Sequence, residues 1–331
     1  MIPPLKKIAK IIRKNSSFLI TTHAQPDGDG LGAQMALHFY LKKIGKQSLV
    51  INSDPTPPKF QLVDPRHEIQ AYTPNMKLTP VDVVVVMDTH DWQMLGPMQP
   101  LIQSMKVPVI FIDHHVTELD EPNEHLIDEA FGSTGELVYT LLRWIKADID
   151  TEMALALYVA IMTDTSSFRF KRTTAHSHLI ASELLQKGVL PEQVYQSIYA
   201  RDSISKVRLF GNVLENIQTS NHGRVAWLSV SRDTREKYQA TIEDTEAFSN
   251  QLTLIAGVDI GIVFREDSES QIKVSLRGNG EIPVFGIAKK FGGGGHRHAA
   301  GMKINGTLQQ AITQVCREAN EVLKGYPQQT S

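Results

Sequence analysis

The chain has 331 residues, which is long enough for two domains that each bury their own hydrophobic core. Its 34 basic and 36 acidic side chains nearly cancel to a formal net charge of −2, which argues against a protein that binds long duplex nucleic acid. Hydrophobic residues make up 41% and charged residues 21%, proportions typical of a globular protein and not of a disordered one.

The opening of the chain predicts a surface helix, and the lone cysteine predicts a cytoplasmic protein. In residues 1–15, Lys and Arg alternate with Ile and Leu, which interrupts the hydrophobic stretch that a signal peptide needs. The longest apolar runs, such as Val83–Met87, have the length of a strand and exclude a membrane-spanning helix. Cys316 has no second cysteine for a disulfide or a thiolate zinc site, which fits a reducing compartment.

The first half of the chain has the pattern of repeated βαβ units. Short β-branched apolar runs alternate with helix-period segments, which predicts an α/β domain with a mostly parallel sheet. The predicted strands are Phe18–Thr22, Ser48–Ile51, Val83–Met87 and Val109–Ile112. The predicted helices are Leu31–Lys43, Gly135–Lys146, Met153–Thr163 and Ala175–Gln186. The third of these helices is strongly apolar, so we expect it at the centre of the domain.

The second half predicts a smaller α/β domain beyond a helical linker. Residues 188–218 read as the linker, because Pro191 favours the start of a helix. The predicted elements beyond it are strands at Val225–Val230, Ile260–Phe264 and Ile272–Leu276, and helices at Thr245–Ala256 and Leu308–Leu323. The predicted domains are therefore 1–187 and 219–325, with a cleft between them and a polar tail at 326–331.

Five aspartates stand at the ends of predicted strands and helices. They are Asp27, Asp29, Asp88, Asp113 and Asp164. Because the carboxyl ends of parallel strands face one crevice, these side chains could converge there. Clustered carboxylates repel one another and lose hydration, and two divalent cations would offset about four of these charges. Each aspartate taken singly could instead cap a helix.

Histidines next to these aspartates favour a transition metal. His23 comes four residues before Asp27, while His114 and His115 follow Asp113 directly. Mixed imidazole and carboxylate ligands suit Mn²⁺, Fe²⁺, Co²⁺ or Zn²⁺ better than a pure Mg²⁺ site. The alternative is that the paired histidines are ordinary surface or hydrogen-bonded residues.

A run of four glycines in the second half predicts a phosphate site. In FGGGGHRHAAG, residues 291–301, successive backbone N–H groups could form an anion-binding nest next to His296. Arg277 could contact a phosphate in a bidentate manner. The alternatives are a flexible loop and a surface arginine, and the sequence leaves the roles of His298, Phe168 and Arg169 open.

Five motifs carry a family resemblance that spans nearly the whole chain. In order, HAQPDGDGLG, VVVMDTHD, IDHH, MTDTSSFRF and GGGGHRHAAG resemble the motifs of the DHH phosphoesterase family with its DHH-associated C-terminal domain. TDTSSFRF and SLRGNG are most similar to the nanoRNase branch, which degrades very short oligonucleotides and dephosphorylates 3′-phosphoadenosine 5′-phosphate (pAp). The family often has Ala and then Ser where this chain has Gly30 and Ala33, and a Gly in place of Ser166; these departures concern substrate preference.

The resemblance implies a role for each candidate site residue. One cation would be held by His23, Asp27 and Asp88, and a second by Asp29, Asp88, His114 and Asp164. Asp88 would bridge the two cations, Asp113 would orient a histidine, and His115 would contact the scissile phosphate. The implied substrate-binding residues are His115, Arg277, Gly293, Gly294, Gly295 and His296.

The function implied by the resemblance is metal-dependent hydrolysis of short oligoribonucleotides to mononucleotides and of pAp. Two divalent cations would activate a hydroxide. Mn²⁺ is the expected metal, and Mg²⁺, Co²⁺ or Fe²⁺ are the alternatives. The implied partners are short oligonucleotides and phosphorylated nucleotides, without long duplexes or a membrane, and the resemblance also allows a homodimer. The alternatives are a pyrophosphatase or polyphosphatase, a linear or cyclic dinucleotide phosphodiesterase and, from another class, a non-catalytic nucleotide sensor.

Overall fold

The computed structural model describes residues 2–115, 125–246 and 248–326, except for the side chains of Ile2, Pro3 and His296. The chain forms two compact units, Met1–Arg201 and Asp202–Ser331. The segment that the sequence predicts as a linker contains a helix of each unit, so the predicted domain boundaries stay a prediction. In the described part of the chain, no helix combines the length and the apolar character that a bilayer crossing requires.

The first unit contains a six-stranded, wholly parallel sheet. Its strands are β1 (Ser17–Thr22), β2 (Gln47–Asn52), β3 (Ile69–Ala71), β4 (Val83–Met87), β5 (Val109–Asp113) and β6 (Leu126–Ile127). The spatial order is β3-β2-β1-β4-β5-β6, so the chain reverses its direction of winding between β1 and β4. A crevice opens at such a switch point, outside the carboxyl ends of the two strands.

Helices cover both faces of this sheet. They are α1 (Ile2–Lys14), α2 (Gly28–Lys43), α3 (Met98–Ser104), α4 (Thr134–Trp144), α5 (Thr151–Asp164), α6 (Ala175–Gln186) and α7 (Pro191–Ile198). Successive residues of β4 point to opposite faces: Val83 and Val85 join the core under α2, α4 and α5, whereas Val84 and Val86 join the core under α3. A strand buried on both faces needs an unbroken apolar run, and this is why β4 could be predicted from the sequence.

The sequence-based prediction for this unit is confirmed in its main elements. The four predicted strands and four predicted helices all form, with ends that differ by at most three residues. The predicted surface helix forms as α1, which buries Leu5, Ile8 and Ile12 and exposes four of its five basic residues. The structure adds β3, β6 and α3, which are too short to show a clear period.

The second unit contains a mixed six-stranded sheet. Its strands are β7 (Gln218–Ser220), β8 (Val225–Val230), β9 (Ile260–Ser268), β10 (Gln271–Gly278), β11 (Gly294–His296) and β12 (Ala299–Asn305). The order is β11-β12-β10-β9-β8-β7, and only β8 and β9 of these described strands pair in parallel. The accompanying helices are α8 (Ile204–Glu215), α9 (Arg232–Lys237), α10 (Phe248–Leu252), α11 (Phe285–Lys290) and α12 (Leu308–Leu323).

The glycine run, expected as a ligand-facing loop, forms part of this sheet. Its residues form β11, a short edge strand that pairs antiparallel with β12. A Cβ at Gly293 would lie 2.3 Å from the carbonyl oxygen of Gly301, and Gly295 has a φ of +135°. Both glycines are therefore required by the packing of the chain itself, whereas a Cβ at Gly294 would meet no described atom within 4 Å.

Close packing of α2 against α5 gives a stability prediction. A Cβ at Gly32 would lie 2.3 Å from the backbone oxygen of Ala156, so we expect Gly32→Ala to lower the free energy of unfolding by about 1–3 kcal/mol. The same change at Gly211, an exposed position in α8 where a Cβ meets nothing, should raise it by about 0.5–1 kcal/mol. Urea denaturation of both variants tests the pair, and a Gly32→Ala protein as stable as the parent contradicts it.

Candidate active site

The candidate site lies at the switch point of the parallel sheet in the first unit. His23 follows β1, Asp88 follows β4, and Asp113 ends β5, so neighbouring strands place these side chains at one edge. Asp88 has a left-handed φ of +61°, and its N–H still donates to the carbonyl oxygen of Ile112 at 2.9 Å. The chain thus turns sharply at Asp88 while its backbone remains in the sheet.

Asp27 serves as a helix cap and also faces a histidine. Its Oδ1 accepts hydrogen bonds from the N–H groups of Asp29 (3.0 Å) and Gly30 (3.2 Å) at the start of α2. The same oxygen lies 3.8 Å from Nε2 of His23. The capping interpretation and the ligand interpretation of this residue are therefore compatible.

His23 presents one ring nitrogen to two carboxylates. Its Nδ1 donates to the carbonyl oxygen of Ala24 at 2.8 Å, which leaves Nε2 facing Asp27 and, at 3.6 Å, Oδ2 of Asp88. Burial opposes protonation of this ring, but the nearby carboxylates of Asp27 and Asp88 outweigh it and raise the pKa of His23 to about 11. A ring oriented in this way by a backbone carbonyl is typical of a metal-ligating histidine.

His114 faces three carboxylates from the other side of Asp88. Its Nε2 lies 3.6 Å from Oδ2 of Asp29, 3.6 Å from Oδ1 of Asp88 and 3.5 Å from Oδ2 of Asp164. This Nε2 and the Asp164 oxygen are buried and make no hydrogen bond within the described residues. Unpartnered buried polar atoms are costly, and a cation between them would remove that cost.

Burial and mutual repulsion raise the pKa of two carboxyl groups in this cluster. Burial, reinforced by the charges of Asp88 and Asp164, raises the pKa of Asp29 well above its ordinary value. Burial and the charge of Asp88 raise the pKa of Asp164 to about 7. Burial also disfavours the charged form of Asp27, but the adjacent ring of His23 and the N–H groups of Gly30 and Asp29 lower the pKa of Asp27 overall.

The first residues of α4 orient two of the carboxylates. The N–H groups of Thr134 (2.7 Å) and Gly135 (2.8 Å) donate to the two oxygens of Asp29, and the Thr134 hydroxyl donates to Oδ1 of Asp88 at 2.9 Å. Sequence reasoning missed Thr134. The signal that could have found it is the capping residue Ser133 before the predicted helix, which marks a helix N-terminus where carboxylates bind well.

Asp113 links two histidines. Its Oδ1 accepts from Nδ1 of His115 at 2.7 Å, and its other oxygen pairs with Nδ1 of His90. Burial alone would raise the pKa of Asp113, but these histidines lower it to about 2. Burial opposes protonation of His115, yet the bond to Asp113 raises the pKa of His115 above its ordinary value. Sequence reasoning missed His90, which lies two residues after Asp88.

Three overlapping groups in the described part of the chain could each hold a metal ion. They are His23 with Asp27 and Asp88, Asp29 with His114 and Asp164, and Asp88 with His114 and His115. Within each group the donor atoms lie within 4.8 Å of one another. All six residues expected as ligands are thus brought together. His115, expected to contact phosphate, also lies within this distance of the ligands, whereas Asp113 belongs to none of these groups.

The candidate phosphate residues lie in the second unit. Arg277 donates from Nε to Oδ1 of Asn250 at 2.6 Å, and burial lowers the pKa of its guanidinium. Arg277 on β10 and His296 on β11 both pair with Ala299 on β12, so their backbones occupy one row of the sheet. The side chain of His296 lies outside the described residues. His298 bonds through Nδ1 to the carbonyl oxygen of Ile282 at 3.0 Å, which favours a structural role.

The loop after Asp164 contains consecutive residues in the left-handed region, namely Ser166 (φ +49°), Ser167 (+59°) and Phe168 (+63°). This conformation is unfavourable for residues with a Cβ. Arg169 stabilises the turn by donating to the backbone oxygen and the hydroxyl of Ser166, both at 2.9 Å. Phe168 packs against the core, whereas Phe170 is exposed.

The strained turn gives a second stability prediction. We expect Ser166→Gly to raise the free energy of unfolding by about 0.5–1 kcal/mol, because glycine adopts the left-handed conformation freely and only an exposed hydrogen bond is lost. The same change at Ser182, exposed in the middle of α6, should lower it by about 0.5 kcal/mol. Urea denaturation measures the free energy of unfolding of both variants. A Ser166→Gly variant less stable than the parent protein would contradict the proposed strain.

Comparisons with known families agree with the two-unit architecture. Residues 17–161 match the DHH family, N-terminal domain, and residues 223–325 match the DHHA1 domain. Together these matches cover most of the chain and correspond to the parallel-sheet unit and the mixed-sheet unit.

Individual relatives span nearly the full length. The chain is 29% identical over 321 residues to the bifunctional oligoribonuclease and PAP phosphatase NrnA of Thermus thermophilus. The aligned region covers 96% of this chain and 94% of that protein. The protein of the same name from Bacillus subtilis is 26% identical over 305 residues, covering 90% and 92%. The crystal structure of an exopolyphosphatase-related protein from Bacteroides fragilis is 28% identical, with a TM-score of 0.91, and covers 98% and 97%.

Proposed function

Because this chain belongs to the DHH phosphoesterase family and carries its DHHA1 domain, we propose that it hydrolyses short oligoribonucleotides to mononucleotides and dephosphorylates pAp. The chain is a hydrolase of this metal-dependent family. The proposed substrates are those named for the Thermus thermophilus and Bacillus subtilis relatives.

The single observation that carries the proposal is the position of Asp88 between two histidines. Its Oδ2 lies 3.6 Å from Nε2 of His23, and its Oδ1 lies 3.6 Å from Nε2 of His114. One carboxylate whose two oxygens face different donor groups is suited to bridge two cations. We therefore assign His23, Asp27 and Asp88 to one cation, and Asp29, Asp88, His114 and Asp164 to the other. The mixed nitrogen and oxygen donors favour Mn²⁺.

The chain's own residues supply the remaining chemistry. Cations held there would lower the pKa of a water molecule and neutralise charge on the phosphate oxygens. His115, held by Asp113 and with a raised pKa, is suited to contact a phosphate oxygen or to protonate the leaving oxygen. Asp113 acts through His115, so it is a positioning residue. We assign Arg277, Gly293, Gly294, Gly295 and His296 to the binding of a substrate phosphate.

A second candidate function is cleavage of polyphosphate, which the name of the Bacteroides fragilis relative favours. The same metal pair could hydrolyse a phosphoanhydride, so the fold does not separate these substrates. What favours the nucleotide substrates is that both curated relatives named above are called oligoribonuclease and PAP phosphatase.

A substrate panel tests the function. We expect the Mn²⁺-loaded protein to turn over 5′-labelled RNAs of two to ten nucleotides and pAp faster than pyrophosphate or polyphosphate. The variant Asp88→Asn should lose about 10³-fold or more of this activity, because the bridging charge is removed. Asp91→Asn is the matched control. Asp91 lies three residues after Asp88, is exposed, and caps the short helical turn Trp92–Leu95. Rapid phosphate release from polyphosphate with untouched dinucleotides would defeat the proposal.

The raised pKa values predict how metal affinity depends on pH. Below its pKa of about 7, Asp164 carries a proton that an incoming cation must displace. The pKa of His23 is about 11, so a cation must displace its proton at both pH 6 and pH 8, and the raised pKa of Asp29 acts in the same direction. The dissociation constant for Mn²⁺ should therefore fall by about tenfold or more between pH 6 and pH 8. Isothermal titration in buffers of different ionisation enthalpy measures both this constant and the protons released. Equal affinity at the two pH values would contradict the ligand assignment.

A further inference from the structure

Arg172 is a cation beside the candidate metal centre to which neither the sequence motifs nor the ligand assignment gives a role. Its Nη2 lies 3.5 Å from Oδ2 of Asp164, and its Nη1 lies 3.4 Å from Nδ1 of His114. Its side chain is 46% exposed, so the guanidinium is at the rim of the site and not sealed within it. We propose that Arg172 binds a non-bridging oxygen of the substrate phosphate. This inference rests on the proposed function of the site.

His114 does not offer the guanidinium of Arg172 a hydrogen-bond acceptor. If Nε2 of His114 is the ligand atom, the ring proton must be on Nδ1, which lies 3.3 Å from the carbonyl oxygen of Phe131. A protonated Nδ1 cannot accept a hydrogen bond from Arg172. The 3.4 Å contact therefore brings two donors together, so within the described residues His114 is not an acceptor for Nη1 of Arg172.

The contact with Asp164 is equally weak as an ion pair. At 3.5 Å it exceeds the usual length of a charge-assisted hydrogen bond, which is about 2.7–2.9 Å. When the Asp164 oxygen is given to a cation, it no longer neutralises the arginine. Across the described residues, Asp164 is the one acidic residue whose carboxylate lies within 4 Å of this guanidinium. An anion supplied from outside the protein would satisfy it.

Charge balance favours a phosphate as that anion. The four proposed carboxylate ligands, Asp27, Asp29, Asp88 and Asp164, are offset by two divalent cations, so the loaded centre is close to neutral. A phosphoester brings negative charge to this centre, and more develops as the nucleophile attacks. A guanidinium presents two N–H groups in a geometry that matches two phosphate oxygens.

The backbone around Arg172 is held, so only the side chain needs to move. The Arg172 carbonyl oxygen packs against Gly132, where a Cβ would lie 3.1 Å from it. The N–H of Thr173 donates to the carbonyl oxygen of Phe170 at 2.9 Å, and Thr174 caps α6. A long side chain anchored on a fixed backbone can swing from Asp164 to a bound phosphate without rearrangement of the loop.

The competing explanation is that Arg172 only braces the ligands Asp164 and His114. The two explanations differ in what they predict for metal binding. Removal of a brace should weaken cation affinity, because the ligands lose their orientation. If Arg172 binds phosphate, its removal should leave the affinity for metal ions unchanged or improve it, because a positive charge near the two metal ions disappears.

The test compares Arg172→Gln and Arg172→Lys with Arg169→Gln, whose guanidinium in the same loop is bonded to Ser166. Isothermal titration with Mn²⁺ gives cation affinity. The binding of inorganic phosphate to each Mn²⁺-loaded variant gives anion affinity, and kcat and KM are measured on a diribonucleotide. We expect Arg172→Gln to weaken phosphate binding by about tenfold or more and to raise KM, with no loss of Mn²⁺ affinity. Arg172→Lys should be intermediate, and Arg169→Gln should resemble the parent protein.

Two outcomes would overturn the inference. The first is a Mn²⁺ dissociation constant that rises tenfold in Arg172→Gln with phosphate binding intact, which assigns the residue to bracing the ligands. The second is an Arg172→Gln variant that matches the parent protein in every measurement. The phosphate measurement does not depend on the natural substrate. If the parent protein binds phosphate but does not cleave the diribonucleotide, the proposed function fails while the role of Arg172 is still decided.

Discussion

The candidate site depends on one physical constraint, which is the repulsion among carboxylates gathered at the carboxyl ends of β1, β4 and β5. Without a cation the chain manages this repulsion in two ways. It raises the pKa of Asp29 and Asp164, which favours the uncharged form of these two carboxyl groups. It also directs N–H groups at the start of α4 towards Asp29. Within the described residues, Nε2 of His114 and Oδ2 of Asp164 still lack a hydrogen-bond partner, and divalent cations would supply one.

The sequence allowed the elements and the ligand candidates to be predicted, but not the contacts that orient them. The run Val83–Met87 is apolar throughout because both faces of β4 are buried, and this also marks Asp88 as the residue at the carboxyl edge. By contrast, the bonds from Thr134 and Gly135 to Asp29 join segments more than 100 residues apart. No local period encodes such a contact. The role of His90 could not be predicted for a related reason, since its partner Asp113 lies 23 residues away on the neighbouring strand.

The glycine run shows how one composition can answer two needs. Successive glycines are favourable where a backbone approaches an anion closely, and also where two strands pack too tightly for a side chain. The sequence alone favoured the first explanation. In the folded chain Gly293 and Gly295 serve the second, because β12 occupies the space of their Cβ atoms. The packing of the described residues does not require a glycine at position 294, and a role for Gly294 in binding a ligand stays a prediction.

Capping a helix and binding a metal are often treated as competing roles for an aspartate that follows a strand. For Asp27 and Asp29, which we propose as metal ligands, the two roles are compatible. The N-terminus of a helix attracts negative charge, so α2 stabilises Asp27 and α4 stabilises Asp29 in positions where other carboxylates repel them. The helices thereby lower the cost of assembling an acidic cluster before a cation arrives. A cation then needs only to displace protons from a site whose ligands are already oriented, and this links the α/β architecture directly to the proposed hydrolytic chemistry.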